Sequence, residues 1–148
     1  MEGSVLMQFQ DLGFSAVLAF AAIGSALGTG IAGMAAVGAW KKCFAQNKAA
    51  PFMLTVFVGA PLSQTIYGFI LMQQLAGKVS AGGGSFFWGT GILAGIAIGM
   101  SAIMQGKAGA GASDALAETG KGFGNYIMVL GVIETVALFV MVFTMMAV

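Results

Sequence analysis

The sequence has few charged residues and lacks two of the side chains on which most soluble proteins depend. Only 7% of its 148 residues are charged, with five Asp or Glu and six Lys, whereas 59% are hydrophobic. A soluble domain carries roughly a quarter charged residues, so we predict that lipid is the solvent of this chain. Arg is absent. Because Arg and Lys supply the phosphate contacts of nucleic-acid binders, we expect no nucleic-acid partner.

His is also absent, and Cys43 is the single cysteine. Acid–base chemistry on imidazole and a Cys–His nucleophilic pair are therefore excluded, as is a disulfide within the chain. Any chemistry of this chain therefore rests on very few groups.

Four long apolar segments fill the sequence, at residues 11–40, 51–77, 86–117 and 122–148. Each exceeds the roughly 20 residues that a membrane-spanning helix needs, and a backbone in lipid spans only as helices or as a closed barrel. The predicted fold class is an all-α membrane protein with four transmembrane helices. The start at Met1 carries no basic stretch, so we expect no cleaved secretory signal.

The distribution of lysines predicts the orientation in the cell membrane. The first connector contains Lys41, Lys42 and Lys48 and the third contains Lys121, against a single Lys78 in the second. Basic residues accumulate in cytoplasmic loops, so the first and third connectors should face the cytoplasm. Both termini then lie on the non-cytoplasmic side.

A shift of 76 positions aligns two stretches of the chain. It places Ser25, Ala26, Gly30, Ala32 and Gly33 on Ser101, Ala102, Gly106, Ala108 and Gly109. We therefore predict two duplicated helical hairpins, at residues 1–78 and 79–148. The first helix of each hairpin has small residues at four-residue spacing, which lets two backbones approach closely. The bulkier second helices should lie outside them.

Polar residues inside the spans are few. Ser63 and Gln64 follow Pro61 in the second span, Gln105 lies in the third, and Glu134 is the carboxylate of the fourth. An ionisable residue inside a membrane marks function by default. Glu134 is therefore the main functional candidate, whereas Ser63 and Gln64, taken singly, also fit simple interhelical hydrogen bonds.

The spacing of these residues predicts one common depth. Gln105 and Glu134 are equally far from the third connector, so an antiparallel hairpin brings them to the same level. Thr29, the repeat equivalent of Gln105, pairs in the same way with Ser63 across the first connector. At about 1.5 Å of rise per residue this level lies near the middle of the membrane.

A buried carboxylate must be protonated, paired or bound to a cation. Lys107 is two residues from Gln105, about 200° around a helix, so we expect it to face elsewhere. A proton or a small metal cation remains as the partner of Glu134. The side-chain oxygens of Ser63, Gln64 and Gln105 are hard donors that favour Na⁺ over a proton.

Pro61 adds a backbone contribution. It has no N–H, so it leaves the carbonyl of Phe57 without its helical partner, and broken helices recur at membrane ion sites. The remaining intramembrane hydroxyls are expected to pack or to bond to backbone carbonyls; these are Ser25, Thr29, Ser101 and Thr135.

The combined pattern resembles a known family. It consists of Pro61-Leu62-Ser63-Gln64-Thr65-Ile66-Tyr67-Gly68, Gln105-Gly106-Lys107 and Glu134, on a duplicated hairpin. This pattern resembles the proteolipid rotor-ring protein of V-type ATPases, known as the K or c subunit, and is most similar to the bacterial sodium-translocating type. The resemblance implies a homo-oligomeric ring turned by ATP hydrolysis, central-stalk subunits, and a stator subunit with an Arg that faces Glu134.

The resemblance also implies a ligand set. The bound cation would be held by the carboxylate of Glu134, the side chains of Gln64 and Gln105, the hydroxyl of Ser63 and the backbone carbonyl of Ala60. The hydroxyl of Tyr67 would brace the Glu134 carboxylate. The resemblance thus implies that Na⁺ is the transported ion, that no cofactor is needed and that the chain is not catalytic by itself. The sequence departs from similar sodium carriers at Ser63, where they carry Thr, and at Leu62, where Gly is frequent.

Two other functions remain open from the sequence. One is a small proton-coupled multidrug exporter, although that class carries its Glu in the first span. The other is a pore-forming or scaffold oligomer held together by the small-residue faces, for which Glu134 would have no role.

Overall fold

The computed structural model describes residues 10–82 and 87–148, and the regular structure in these ranges is helical. The elements are α1 (Gln10–Ala45), α2 (Leu54–Gly59), a 3-10 turn (Ala60–Leu62), α3 (Ser63–Ser80), α4 (Trp88–Thr119) and α5 (Phe123–Ala147). Within this described part, four stretches of 25 to 34 residues are long and apolar enough to cross a membrane. The predicted all-α fold class with four spans is confirmed.

Helix α1 is longer than predicted, because it continues past Trp40 to Ala45. Lys is a good helix former, so the charges there do not end the helix. The ammonium of Lys42 lies 2.9 Å from the carboxylate of Asp114 on α4. Both side chains are exposed, so this pair contributes at most about 1 kcal/mol to stability. Of the glycines in the second connector, Gly82 is described and residues 83–84 lie outside the described ranges.

Helices α1 and α4 lie side by side and form the most extensive helix contact among the described residues. A Cβ on Gly24 would overlap the backbone of Gly99, and a Cβ on Gly106 would overlap the backbone of Gly28. Both pairs are separated by close to the 76 positions of the sequence repeat, so the two helices run parallel. The predicted close packing of the first helix of each hairpin is confirmed.

The second helices of the hairpins cover one side of this pair. Helices α2 and α3 pack against α1, and α5 packs against α4. Helix α5 also contacts the second span, where the rings of Phe57 and Phe123 are 5.5 Å apart. The opposite face of α5 exposes Val132, Phe139 and Met146. This face is suited to lipid or to a neighbouring copy of the chain.

The core divides into two apolar clusters. The first contains Val17, Ala21, Leu71, Leu75, Ala94, Ile98 and Ala137, and the second contains Ala36, Ala39, Leu54, Phe57, Ala112, Leu116 and Leu130. Along the helices, Gln64 and Gln105 lie between the two clusters, and both are 0% exposed. A polar layer therefore separates the two halves of the core.

The second span is broken at Pro61. The N–H of Ser63 bonds to the carbonyl of Ala60, three residues earlier, in the 3-10 turn between α2 and α3. A Cβ on Gly109 would lie 2.9 Å from the carbonyl oxygen of Phe57, so this carbonyl points toward the glycine of α4. The predicted break is confirmed. Gly109 leaves room for the carbonyl oxygen of Phe57, to which Pro61 has no N–H to donate.

The glycine contacts predict the effect of one added methyl group. Gly106→Ala should destabilise the protein by about 1–3 kcal/mol, because the new Cβ forces α4 away from the backbone of Gly28. Gly111→Ala is the matched control, since its Cβ meets no atom within 4 Å. The control should be neutral or stabilising through helix propensity. Thermal unfolding in detergent measures both; equal behaviour of the two variants would contradict this account of the packing.

Candidate cation-binding site

One hydrogen-bonded network in the polar layer contains the predicted site residues of three helices. The hydroxyl of Tyr67 on α3 donates to Oε1 of Glu134 on α5 at 2.5 Å. Nε2 of Gln105 on α4 donates to the other carboxylate oxygen of Glu134 at 3.1 Å. Nε2 of Gln64 donates to Oε1 of Gln105 at 2.9 Å. The predicted common depth of Gln105 and Glu134 is therefore confirmed.

The helix break supplies the other end of the network. Oγ of Ser63 lies 3.0 Å from the carbonyl oxygen of Ala60 and 3.2 Å from Oε1 of Gln64, and its single hydrogen is directed to these two acceptors. Three oxygens from five consecutive residues thus converge at the first turn of α3. Pro61 itself contributes no hydrogen-bond donor, and its buried ring packs against α1. Its contribution is the shape of the turn.

Two further contacts join α4 to α5 at this level, and the sequence does not signal which backbone carbonyls accept them. Nε2 of Gln105 also donates to the carbonyl of Leu130 at 3.0 Å. Oγ of Ser101 donates to the carbonyl of Ile133 at 2.9 Å. Because the Gln105 amide nitrogen is held on the α5 side, its oxygen faces Gln64. Backbone carbonyls exist at every position, so sequence reasoning misses these two acceptors.

No basic side chain of the described residues compensates the charge of Glu134, because the ion pair found there joins Lys42 to Asp114. Lys107 is exposed, whereas Gln105 is fully buried, so the two lie on different sides of α4 as predicted. Glu134 itself is half-buried. The carboxylate therefore needs a guest cation or a proton.

The remaining acceptor capacity of the network suits a small cation. Each amide oxygen has two lone pairs, and the hydrogen bond it accepts uses one of them. Oε1 of Gln64, which lies next to Oγ of Ser63, and Oε1 of Gln105 therefore each keep a lone pair. Together with one negative charge on Glu134, this donor set fits a monovalent cation that prefers oxygen ligands.

Comparison with protein families finds a match within the second hairpin. Residues 88–147 match the family model of the ATP synthase C subunit. The matched segment covers α4 and α5, with Gln105 and Glu134, and is less than half of the chain. A comparison of the chain with curated proteins finds no match.

Members of this ATP synthase family are membrane subunits that translocate ions in the rotors of rotary ATPases. They assemble into oligomeric rings with the other ATPase subunits and are not themselves catalytic. The similarity to this family is found in α4 and α5, that is, in the second hairpin. It also places the half of the network that contains the carboxylate within the matched segment.

The network predicts the cost of removing its central residue. Gln105→Leu should lower the free energy of unfolding by about 1–3 kcal/mol, because the buried Gln64 amide and the Glu134 carboxylate both lose a partner. Thr135→Val is the control, since Oγ1 of Thr135 donates only to Val132 of its own helix, at 2.6 Å. Thermal unfolding at neutral pH measures both variants. A Gln105→Leu protein as stable as the control would contradict the coupling of α3, α4 and α5 through this network.

Proposed function

We propose that the protein is the rotor subunit of a V-type ATPase and that it carries Na⁺ across the membrane on Glu134 as a ring of copies turns. The observation on which this rests is the single network that joins the Glu134 carboxylate to neutral oxygens of the broken second span. The match of the second hairpin to the ATP synthase C-subunit family supports the rotor role. It gives no support to the exporter or the scaffold.

The donor set favours Na⁺ over a proton. A proton carrier needs a carboxyl group and little else, whereas this network adds oxygens of Ala60, Ser63, Gln64 and Gln105. Tyr67 and Gln105 also donate hydrogen bonds to Glu134. Both carboxylate oxygens thus accept a hydrogen bond, an arrangement that favours a metal cation over a proton as the guest.

Transport follows from the charge of the site. With Na⁺ bound, the Glu134 site is neutral, so it can pass through lipid at low cost as the ring rotates. At the stator, an Arg of the partner subunit provides a second positive charge for Glu134, and Na⁺ is released into a half-channel. Without that countercharge, an empty carboxylate moving into lipid would cost several kcal/mol.

The lysines set the proposed orientation. The connector after α1 and the turn between α4 and α5 would face the cytoplasm and the central-stalk subunits, and both termini would lie outside. The exposed ion pair of Lys42 and Asp114 links the two hairpins at that end.

Glu134→Gln tests the carrier. The variant should form the same oligomer but should lose ion transport and labelling by a carbodiimide, because the amide carries no charge. Glu118→Gln, which changes an exposed carboxylate at the end of α4, is the matched control and should keep both activities. Native mass spectrometry measures the oligomer: a large closed ring supports a rotor and a dimer supports an exporter. Transport that survives Glu134→Gln would refute the proposal.

Protection of Glu134 tests the identity of the ion. At fixed pH and ionic strength, Na⁺ should slow carbodiimide labelling of Glu134, and choline should not. Ser63→Ala should raise the Na⁺ concentration needed for half-protection about tenfold, which corresponds to about 1.4 kcal/mol. Thr65→Val, two residues away and outside the network of the described residues, should leave it unchanged. Protection that depends on pH alone would show that the carried ion is a proton.

A further inference from the structure

Three buried hydroxyl oxygens have no hydrogen-bond partner within residues 10–82 and 87–148. They belong to Ser25, Thr29 and Ser113. Ser25 and Thr29 are one helical turn apart on α1, whereas Ser113 lies near the end of α4. Of the two roles expected for Ser25 and Thr29, bonding to backbone carbonyls is not found within this part of the chain, whereas packing fits the burial of their oxygens. An unsatisfied buried hydroxyl costs about 1–3 kcal/mol, so a pair of them requires an explanation.

The pair of hydroxyls from Ser25 and Thr29 lies on α1 at the level of the cation network. A Cβ on Gly28 would lie 3.0 Å from Cβ of Pro61, and Gly68 packs against Ala21. Ser25 lies between these two contacts along α1. Its level is therefore that of the stretch from Pro61 to Gly68, which contains Ser63 and Gln64.

The sequence repeat gives the pair a counterpart. The shift of 76 positions places Ser25 on Ser101 and Thr29 on Gln105. In the second hairpin both residues bond to α5, through Ile133, Leu130 and Glu134. In the first hairpin the same two positions provide hydroxyls at the same depth. In the first hairpin, Ser25 and Thr29 therefore occupy the positions that Ser101 and Gln105 occupy in the second.

The ligand of such a place must be neutral and small. The second span, residues 51–77, contains no Asp or Glu, so a cation there would have no countercharge. Ser25 is 2% exposed and both oxygens are shielded within one chain, so a neighbouring copy cannot reach them. A water molecule needs two to four polar partners, and two hydroxyls one turn apart supply at least two.

We propose that Ser25 and Thr29 bind a buried water molecule between α1 and the broken second span. The first hairpin thus keeps an uncharged version of the site that Gln105 and Glu134 form in the second. This inference does not depend on which ion Glu134 carries.

The first test is a map of the intact, unmodified oligomer at a resolution that shows ordered water. A peak within about 2.7–3.2 Å of both Oγ of Ser25 and Oγ1 of Thr29 is expected. A map with ordered water elsewhere in the core and none at this pair would overturn the proposal. Because no variant is needed, this result does not depend on folding of a mutant.

The second test asks whether removing the two hydroxyls lowers or raises the unfolding temperature of the protein. The double variant Ser25→Ala/Thr29→Val should unfold a few degrees lower, because it removes a bound water and both of its hydrogen bonds. Ser113→Ala is the matched control, since Gly109 and Ala117 one turn away offer no second hydroxyl for a water. Removing that isolated hydroxyl should leave the unfolding temperature unchanged or raise it. A double variant that gains stability as the control does would refute the bound water.

Discussion

A carboxylate in a membrane interior is the constraint on which the rest of this structure depends. Its charge cannot remain alone in lipid, and the described part of the chain offers it no basic side chain. The fold therefore directs two uncharged hydrogen-bond donors at Glu134, Tyr67 on α3 and Gln105 on α4. The Gln105 amide is held in turn by Gln64 and by the carbonyl of Leu130, so its orientation is fixed within the chain itself.

Close approach of α1 and α4 makes this arrangement possible. Glycines remove the side chains that would otherwise separate the two helices, and Gly109 makes room for the carbonyl that Pro61 leaves open. The broken second span and α5 can then both reach Gln105. The small residues that pack the inner pair thus allow Gln64 and Glu134 both to contact Gln105.

Much of this could be predicted from the sequence, since the composition defined the membrane fold and the positions of Gln105 and Glu134 gave their common depth. The limits have physical causes. Lys41 and Lys42 look like a connector although lysine continues a helix, so the end of α1 was predicted too early. The sequence does not indicate that the backbone carbonyl of Leu130 accepts a hydrogen bond from Gln105, because every residue has such a carbonyl. Whether Ser25 finds a partner depends on the angle between two helices, which no local pattern encodes.

The two apolar clusters on either side of the polar layer have a consequence for access. Both clusters consist of packed aliphatic and aromatic side chains, so they block passage of ions along the helix axes. An ion that travelled lengthwise through the four helices would have to cross one of them. The half-buried flank of Glu134 is the open direction, so in the proposed function the ion would enter and leave sideways, through that flank.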